Sequence, residues 1–313
     1  MNDRIIFEDV SKFYGEVLGV NRISLSIPPG ITTLVGPNGS GKTTIMNLMT
    51  GLVQPSNGRI SVLGLKPSDQ MELFSILGYC TQFDFFPRGL TGWQFVLDGL
   101  MLHGMEEAMA VDLAQQAIER VQLGDAAYRK IAGYSKGMRQ KIRLAQAIAH
   151  HPRVLVLDEP LNGLDPMARA ESIALFEELS RQGMHVLISS HILDEVDRIS
   201  DRVILITGGY LIAEGNIHQV RQEVHEKPMQ VLIRCDRPEV LASKMFAINH
   251  CVEARLHADG KGVFLRTADI DRFYSMLNDI AADGLVKIDA VAPADDDANA
   301  IYEYLIGKDG SPS

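Results

Sequence analysis

Apolar and polar residues alternate over the first part of the chain and predict β structure from residue 4 to residue 35. The clearest stretch is 23–27, where three apolar residues are separated by serines, which is the two-residue period of a half-buried strand. A short apolar run over 31–35 then enters a glycine-rich loop, and residues 43–52 are predicted as a helix. The sequence therefore predicts a strand, a loop and a helix in direct succession.

The hydrophobic pattern beyond this loop predicts further strands and helices. Residues 56–82 return to a β pattern, and Gly208-Gly209 lies between two apolar runs, as in a β-hairpin. Between these segments, strands and helices alternate, which indicates a parallel sheet covered by helices. The elements predicted there are helices over 91–131 and 135–150, a strand over 153–157, a helix over 166–182 and a strand over 184–190.

A polar segment that ends in Pro228 marks a predicted domain boundary. The first domain is predicted to span residues 1–222, and a small accessory domain to span residues 228–307. The order β-α-β-β-α-β predicted there is typical of a ferredoxin-like α+β domain. Residues 308–313 are expected to form a disordered tail. The predicted elements are strands over 229–233, 251–256, 262–267 and 286–291, and helices over 237–247, 269–283 and 296–306.

The composition is that of an ordinary globular protein, and the charge narrows the choice of partners. Of the 313 residues, 46% are hydrophobic and 22% are charged, and the net charge is −10. Because phosphate backbones bind basic surfaces, no nucleic-acid partner is expected. The sequence contains no apolar run of the ~18 residues that a membrane-spanning helix needs, and its start does not read as a signal peptide. Three cysteines without metal-ligand spacing predict reduced, buried thiols in a cytosolic protein.

The glycine-rich loop over residues 36–43 matches the pattern GxxxxGK[ST], which wraps nucleotide phosphates. Its glycines let backbone N–H groups approach an anion, and the following helix adds the positive end of its dipole. Lys42 is expected to reach the β- and γ-phosphates, and the Thr43 hydroxyl to bind Mg²⁺. The alternative is a glycine-rich turn before a surface helix. The candidate nucleotide-binding residues here are Gly36, Pro37, Asn38, Gly39, Ser40, Gly41, Lys42, Thr43 and Thr44.

Two carboxylates follow an apolar strand that is predicted to be buried. Asp158 and Glu159 come directly after residues 154–157, at the end of a strand where parallel α/β sheets bind ligands. Asp158 is the expected carboxylate of the Mg²⁺ site, and Glu159 is the candidate general base for a water that attacks the γ-phosphate. The alternative is an acid pair that caps a helix. Together, the loop and the acids predict binding and hydrolysis of a nucleoside triphosphate.

A third motif over residues 134–141 opens the helix that precedes these acids. Its Ser135 and Gly137 would offer a hydroxyl and free N–H groups to an anion. The motif resembles the LSGGQ signature of ABC ATPases, and with its neighbours the resemblance extends over residues 3 to 217. In that family, the signature of one subunit closes over the ATP of another subunit.

The resemblance implies roles for four further residues. Tyr14 looks like the aromatic residue that stacks on adenine, and Gln82 looks like the glutamine that senses the Mg²⁺ site and the transport partner. Asp165 looks like the D-loop aspartate, and His191 like the switch histidine that contacts the γ-phosphate. The residues expected to carry catalysis are then Glu159, His191, Lys42 and Gln82, and those expected to surround Mg²⁺ are Thr43, Gln82 and Asp158.

The resemblance also implies a fold, and the chain departs from the family signature in two places. The expected α/β fold is a P-loop ABC ATPase domain with a RecA-like core, an N-terminal antiparallel β subdomain and a helical subdomain over about 83–150, followed by the small α+β domain. Lys136 stands where the signature usually has its first glycine, and Met138 where glutamine is usual. We expect activity to be kept, because a lysine beside a phosphate is electrostatically tolerable.

As a function, the resemblance implies the ATP-binding and ATP-hydrolysing subunit of an ABC transporter, similar to those of ABC-2-type exporters. Such a subunit would dimerise head to tail, as a homodimer or heterodimer, and drive a separate transmembrane permease from the cytoplasmic face of the membrane. The alternatives are a soluble ABC ATPase acting on nucleic acid or ribosomes, and a nucleotide-binding module without turnover. The acidic chain disfavours the first, and the presence of both Glu159 and His191 disfavours the second.

An apolar cluster directly after Gln82 could serve either of two purposes. It is dense enough to form a groove for a permease helix, which the resemblance favours, and it could equally form the core of the helical subdomain. The cluster consists of Phe83, Phe85, Phe86, Leu90 and Trp93.

Overall fold

The chain forms two compact units, Met1–Ile217 and His218–Ser313. The predicted boundary at 222–228, the helix expected over 296–306 and the tail 308–313 lie outside the described residues. The computed structural model describes residues 3–82, 85–191, 199–200, 202–216, 229–247, 251, 253–257, 259–267 and 270–293.

The first unit begins with a three-stranded antiparallel sheet. Its strands are β1 (Ile5–Tyr14), β2 (Val17–Ile27) and β4 (Asn57–Val62), and they lie in the order β2-β1-β4. Alternate side chains of these strands are buried and pack in one cluster with helix α1 (Lys42–Met49). This sheet therefore supports the helix that follows the glycine-rich loop, and the β pattern and helix predicted for this part of the chain are confirmed.

A six-stranded sheet forms the centre of the first unit. The strands are β3 (Gly30–Val35), β5 (Leu77–Cys80), β6 (Val154–Leu157), β7 (His185–Ser190), β8 (Arg202–Thr207) and β9 (Tyr210–Asn216). They lie in the order β5-β6-β7-β3-β8-β9, in which every pair is parallel except β8 with β9. Strands β6 and β7 are buried along their whole length, and β6 reads in the sequence as a continuous apolar run.

The parallel strands end at one edge of this sheet, and the candidate residues follow those ends. The glycine-rich loop follows β3, Gln82 follows β5, Asp158 follows β6 and His191 follows β7. In sheets of this kind the carboxyl ends of the strands form the ligand site. The topology thus brings together residues that are far apart in the sequence.

Helices on the two sides of the central sheet complete the first unit. Helix α6 (Pro166–Arg181) connects β6 to β7, while α3 (Gly92–Leu102), α4 (Glu107–Arg120) and α5 (Lys136–Ile148) form a separate helical part. Helix α3 starts at a capping box in which Thr91 and Gln94 bond each other's backbone N–H. These positions confirm the helices predicted between 91 and 182. Among the described residues, no helix has the length and apolar composition needed to cross a bilayer.

The β pattern predicted over 56–82 is wrong in its middle, where the chain forms helix α2 (Gln70–Ile76). Leu73 is the buried residue of this helix, while Met71 and Phe74 point outward. A seven-residue helix with one buried side chain has almost no apolar periodicity, so the pattern did not reveal it.

In its described residues, the second unit forms a four-stranded antiparallel sheet and two helices. Its described elements are β10 (Met229–Cys235), α7 (Pro238–Ala247), β11 (Glu253–Leu256), β12 (Gly262–Thr267), α8 (Ile270–Ala282) and β13 (Ile288–Pro293). They follow the predicted order β-α-β-β-α-β, and the strands lie in the order β11-β12-β10-β13. This is the split β-α-β arrangement of ferredoxin-like folds. Phe273 and Leu241 bury the helices against the inner face of the sheet.

Candidate active site

The glycine-rich loop has a shape that side chains at its glycines would disturb. A Cβ on Gly36 would lie 2.3 Å from the carbonyl oxygen of Ile206 and equally close to Ser40 Oγ. Gly39 and Gly41 adopt φ angles of 80° and 110°, which residues with a side chain rarely adopt. Because Gly41 also caps helix α1, the N–H groups of the first helical turn open toward the loop.

Lys42 is buried within this loop. Its Nζ donates to the carbonyl oxygens of Gly36 at 2.6 Å and Pro37 at 3.0 Å, so the side chain bridges the loop. Burial lowers the pKa of Lys42, and the negative charges of Glu159 and Asp158 oppose that shift. The loop, the lysine and the two acids therefore form one electrostatic unit.

Asp158 is bonded at both carboxylate oxygens. Thr43 Oγ1, at the start of α1, donates to Asp158 Oδ2 at 2.9 Å, and Ser189 Oγ, on β7, donates to Oδ1 at 2.6 Å. Asp158 is itself buried. The structure thus places side by side two of the three residues that the sequence assigned to a metal site, Thr43 and Asp158, and their oxygen atoms are of the type that Mg²⁺ prefers.

Glu159 lies at the centre of a polar network. Gln82 Nε2 and Asn162 Nδ2 both donate to its Oε2 at 3.1 Å, and His191 Nδ1 lies 3.2 Å from its Oε1. The carboxylate is 8% exposed and the histidine 41% exposed, so the network opens to solvent on the histidine side. Of the predicted catalytic residues, Gln82 and His191 therefore both contact Glu159 directly.

Two members of this site, Ser189 and Asn162, were missed in the sequence. Ser189 directly follows three apolar residues of strand β7 and is buried, and a buried hydroxyl needs a polar partner nearby. That requirement is the signal that could have revealed it. Asn162 gave no comparable signal, because its bond to Glu159 depends on a turn in which the Asn162 N–H donates to the Glu159 carbonyl oxygen.

The signature-like segment lies at the start of α5. Ser135 caps this helix, since its Oγ accepts the N–H of Met138 at 3.2 Å. Gly137 lies close to Leu164, and the Lys136 side chain covers Gly163, where an added Cβ would lie 2.2 Å from Nζ. This end of α5 therefore contacts the turn that follows Glu159, and Ser135 and Gly137 are not bonded to the two acids within this chain.

Asp165 and Tyr14 occupy the borders of the site. Asp165 Oδ1 caps helix α6 by accepting the N–H of Ala168 at 2.9 Å. The Tyr14 ring is 45% exposed, and it lies with Thr44 at the surface of Gly19, where a Cβ would touch both side chains. Tyr14 is thus close to the start of α1 and remains accessible to a ligand.

Helix α5 also contacts the segment that carries Gln82. Arg143 is buried, and its Nη1 donates to the carbonyl oxygen of Thr81 at 3.1 Å, while its guanidinium lies 5.8 Å from the ring centre of Phe86. The Arg143 side chain of α5 therefore contacts both Thr81 and Phe86.

The apolar cluster after Gln82 divides between the two purposes considered for it. Phe86 and Trp93 pack against the core of the helical part, and Phe86 meets Phe95 edge to face. Phe85 is 83% exposed, and Phe83 lies outside the described residues. Among the described residues of this cluster, Phe85 is thus the one whose side chain is largely exposed to solvent.

The chain is similar to the proteins of one known family. A family model described as ABC transporter matches residues 20–162. The chain is 30% identical to YxlF, an uncharacterized ABC transporter ATP-binding protein of Bacillus subtilis, over 279 residues that cover 89% of this chain and 91% of YxlF.

Two relatives have names that describe transport. The bacitracin transport ATP-binding protein BcrA of Enterococcus faecalis is 35% identical over a region that covers 69% of this chain and 70% of BcrA. The Nod factor export ATP-binding protein I of Rhizobium johnstonii is 32% identical over 86% of this chain and 85% of its own.

Solved structures resemble a large part of this chain in fold. An ATP-binding subunit of an ABC transporter superposes with a TM-score of 0.65 and 25% identity, covering 70% of this chain and 92% of that chain. A post-hydrolysis dimer of the ATP-binding cassette MJ0796, bound to ADP and phosphate, superposes with a TM-score of 0.63 and 23% identity, covering 68% of this chain and 98% of that chain.

Proposed function

Because the chain belongs to the ABC transporter family as an ATP-binding protein, we propose that it powers export through a separate permease of ABC-2 type. The chain is an ATPase subunit, and subunits of this family dimerise and work with transmembrane partners. Export is supported by the names of two relatives, which describe bacitracin transport and Nod factor export. The site of action in this proposal is the cytoplasmic face of the membrane.

The contact between Thr43 and Asp158 supports a role for these residues in holding Mg²⁺ beside the phosphates. Their two oxygen atoms lie 2.9 Å apart, and hard oxygen donors of this kind suit the ion. When bound, Mg²⁺ supplies positive charge that offsets the charge of the β- and γ-phosphates. Lys42 adds a second positive charge from within the loop, and the loop N–H groups bind phosphate oxygens.

Glu159 is the residue that we assign as general base. It accepts a proton from a water as that water attacks the γ-phosphorus in line, while the bond to the ADP oxygen breaks. The observation that carries this assignment is the network in which Gln82 and Asn162 hold one carboxylate oxygen and His191 faces the other. In this proposal, His191 contacts the γ-phosphate, and Gln82 connects the base with the surface around Phe85.

Two complete sites would form in a head-to-tail dimer. Within one chain, Ser135 and Gly137 lie at the start of α5, away from the hydrogen bonds of the two acids. The N-terminal end of α5 can therefore bind the phosphates of the ATP held by a second subunit, while Tyr14 binds the adenine of the ATP held by its own subunit. A second copy of this chain is the partner that we propose, since each copy carries both halves.

The proposal is tested by replacing Glu159 with glutamine. We expect Glu159→Gln to lower the ATPase rate by about 10²- to 10⁴-fold, the usual contribution of a general base. The variant should still bind ATP and accumulate as a dimer in size-exclusion chromatography with ATP and Mg²⁺. Glu177→Gln, the same change at an exposed position of α6, is the control and should behave as the wild type.

Two outcomes would contradict this proposal. If Glu159→Gln keeps the wild-type rate, the base assignment is wrong. If neither protein hydrolyses ATP or dimerises, the homodimer is wrong, and the chain depends on its permease or on a different ATPase subunit.

A further inference from the structure

We propose that Ser189 is a positioning residue that orients both Asp158 and Glu159 through a single hydroxyl group. This inference rests on the roles proposed for the two acids. It concerns how those acids are held in place, since Ser189 itself lies behind them in strand β7 and is 1% exposed.

The two bonds of Ser189 have defined directions. A carboxylate oxygen can only accept, so the hydroxyl must donate its proton to Asp158 Oδ1, at 2.6 Å. A backbone N–H can only donate, so the same oxygen accepts from Glu159, at 2.7 Å. The Ser189 hydroxyl therefore acts as a donor to Asp158 and as an acceptor for Glu159, and an apolar side chain could form neither bond.

The first bond fixes the plane of the Asp158 carboxylate. Thr43 holds Oδ2 from helix α1, and Ser189 holds Oδ1 from strand β7. With both oxygens bonded to different elements, the carboxylate cannot rotate without breaking a hydrogen bond. Without Ser189, rotation would move the oxygen that faces Thr43, where the proposed Mg²⁺ site lies.

The second bond fixes the backbone of Glu159. This residue has a φ angle of 49°, in the left-handed region that residues with a side chain disfavour. Its N–H is bonded to Ser189, and its carbonyl oxygen accepts the N–H of Asn162 at 3.2 Å. The backbone bond and this turn together aim the carboxylate at Gln82 and His191.

The experiment compares Ser189→Ala with Ser172→Ala. Ser172 is also buried and also donates one hydrogen bond, to the carbonyl oxygen of Ala168 at 2.8 Å, but it lies on α6 and touches neither acid. Both changes remove a buried hydroxyl, so they report the same general loss of stability. Ser189→Thr retains the hydroxyl and serves as the rescue variant.

Two readouts separate positioning from stability. The first is the gain in ATP affinity that Mg²⁺ produces, measured by calorimetry in a Glu159→Gln background, where hydrolysis is blocked. Removal of groups that orient metal ligands usually costs about 10- to 100-fold in metal affinity, and we expect Ser189→Ala to reduce the gain by about tenfold. The second is the ATPase rate of the single variants, which should fall for Ser189→Ala and recover in Ser189→Thr.

The inference is overturned if Ser189→Ala matches Ser172→Ala in melting temperature, Mg²⁺-dependent affinity and rate. Should Ser189→Ala fail to fold, Ser189→Cys replaces it. This variant keeps the size of the side chain with a much weaker donor, so a wild-type Mg²⁺ effect in it overturns the inference, and a reduced effect supports it. A wild-type chain without Mg²⁺-dependent ATP binding or hydrolysis would instead overturn the proposed function, and this inference with it.

Discussion

The three glycines of the loop are needed for different physical reasons. Gly36 has ordinary backbone angles, and what excludes a side chain is the carbonyl oxygen of Ile206 on the neighbouring strand. Gly39 has free space around it but a positive φ angle. Gly41 combines a positive φ angle with the carbonyl oxygen of Gly19 at 2.8 Å from any added Cβ.

Gly36→Ala should therefore disturb the loop through its neighbour in the sheet. The backbone must shift, because the new Cβ would lie 2.3 Å from the Ile206 oxygen, and we expect a loss of stability of about 1–3 kcal/mol together with weaker ATP binding. Thermal melting and ATP titration measure the two effects. Gly133→Ala is the matched control, since its Cβ would point into open space. Unchanged ATP binding by Gly36→Ala would contradict this account.

At this scale the sequence predicted residues whose type and spacing carry chemistry by themselves. The loop and the acid pair were of this kind, and the bond from Thr43 to Asp158 joins them as expected. Ser189 and Asn162 were not predicted, because their importance comes from a strand pairing and from a turn with an unusual backbone. The strand pairing and the turn belong to the tertiary structure, so the sequence did not show which partners Ser189 and Asn162 have.

Among the elements, helix α5, which begins with the signature motif, contacts two separate parts of the site. Its first turn lies against Gly163, and Arg143 in its last part binds the backbone of Thr81. The order of strands and helices was predicted because most elements bury a continuous apolar face, whereas α2 buries one residue and was missed. Long buried elements can be predicted from their apolar periodicity, whereas short exposed elements cannot.

The end of α5 should make the stability of the first unit depend on pH. His150 follows this helix, bonds the carbonyl oxygen of Leu77 and stacks on His103 at 4.3 Å. Burial lowers the pKa of His150 to about 4, with the charge of His103 adding to the shift. Below pH ~6.5, His150 is therefore protonated in the unfolded chain while it stays neutral in the folded chain. This difference costs no stability above pH ~6.5, and below that pH it lowers the free energy of unfolding progressively toward pH 4.

Between pH 7.5 and pH 5, we expect the protonation of His150 in the unfolded chain to lower the free energy of unfolding by about 2 kcal/mol, because pH 5 lies about 1.5 units below the pKa of histidine in the unfolded chain. Urea unfolding at the two pH values measures it. The variant His150→Gln should lose that part of the dependence, whereas His151→Gln, at the exposed neighbour, should keep it. An identical pH dependence in all three proteins would show that His150 does not titrate as described.

At the scale of the whole molecule, each unit has a hydrophobic core of its own. Among the described residues, the two clusters of the first unit extend no further than residue 211, and the cluster of the second unit lies between residues 231 and 288. All the candidate site residues belong to the first unit. The polar segment that ends in Pro228 predicted a boundary between two domains, whereas the role of the second unit cannot be read from the sequence.

A chain that ends at residue 228 should therefore fold and bind ATP. We expect a single cooperative melting transition and wild-type ATP affinity, measured by circular dichroism and titration. Phe273→Ala in the intact chain provides the complementary test, because a cavity in the second core should cost about 3–5 kcal/mol there and leave ATP binding unchanged. Loss of ATP binding in both proteins would contradict the independence of the first core.

The left-handed backbone of Glu159 has a consequence for how this protein responds to selection. A residue with a side chain in that conformation costs about 1–3 kcal/mol, and glycine would relieve most of that strain. Glycine would also remove the carboxylate that meets Gln82 and His191. Selection for heat resistance alone would thus favour inactive chains at this position, and only selection for turnover keeps the glutamate.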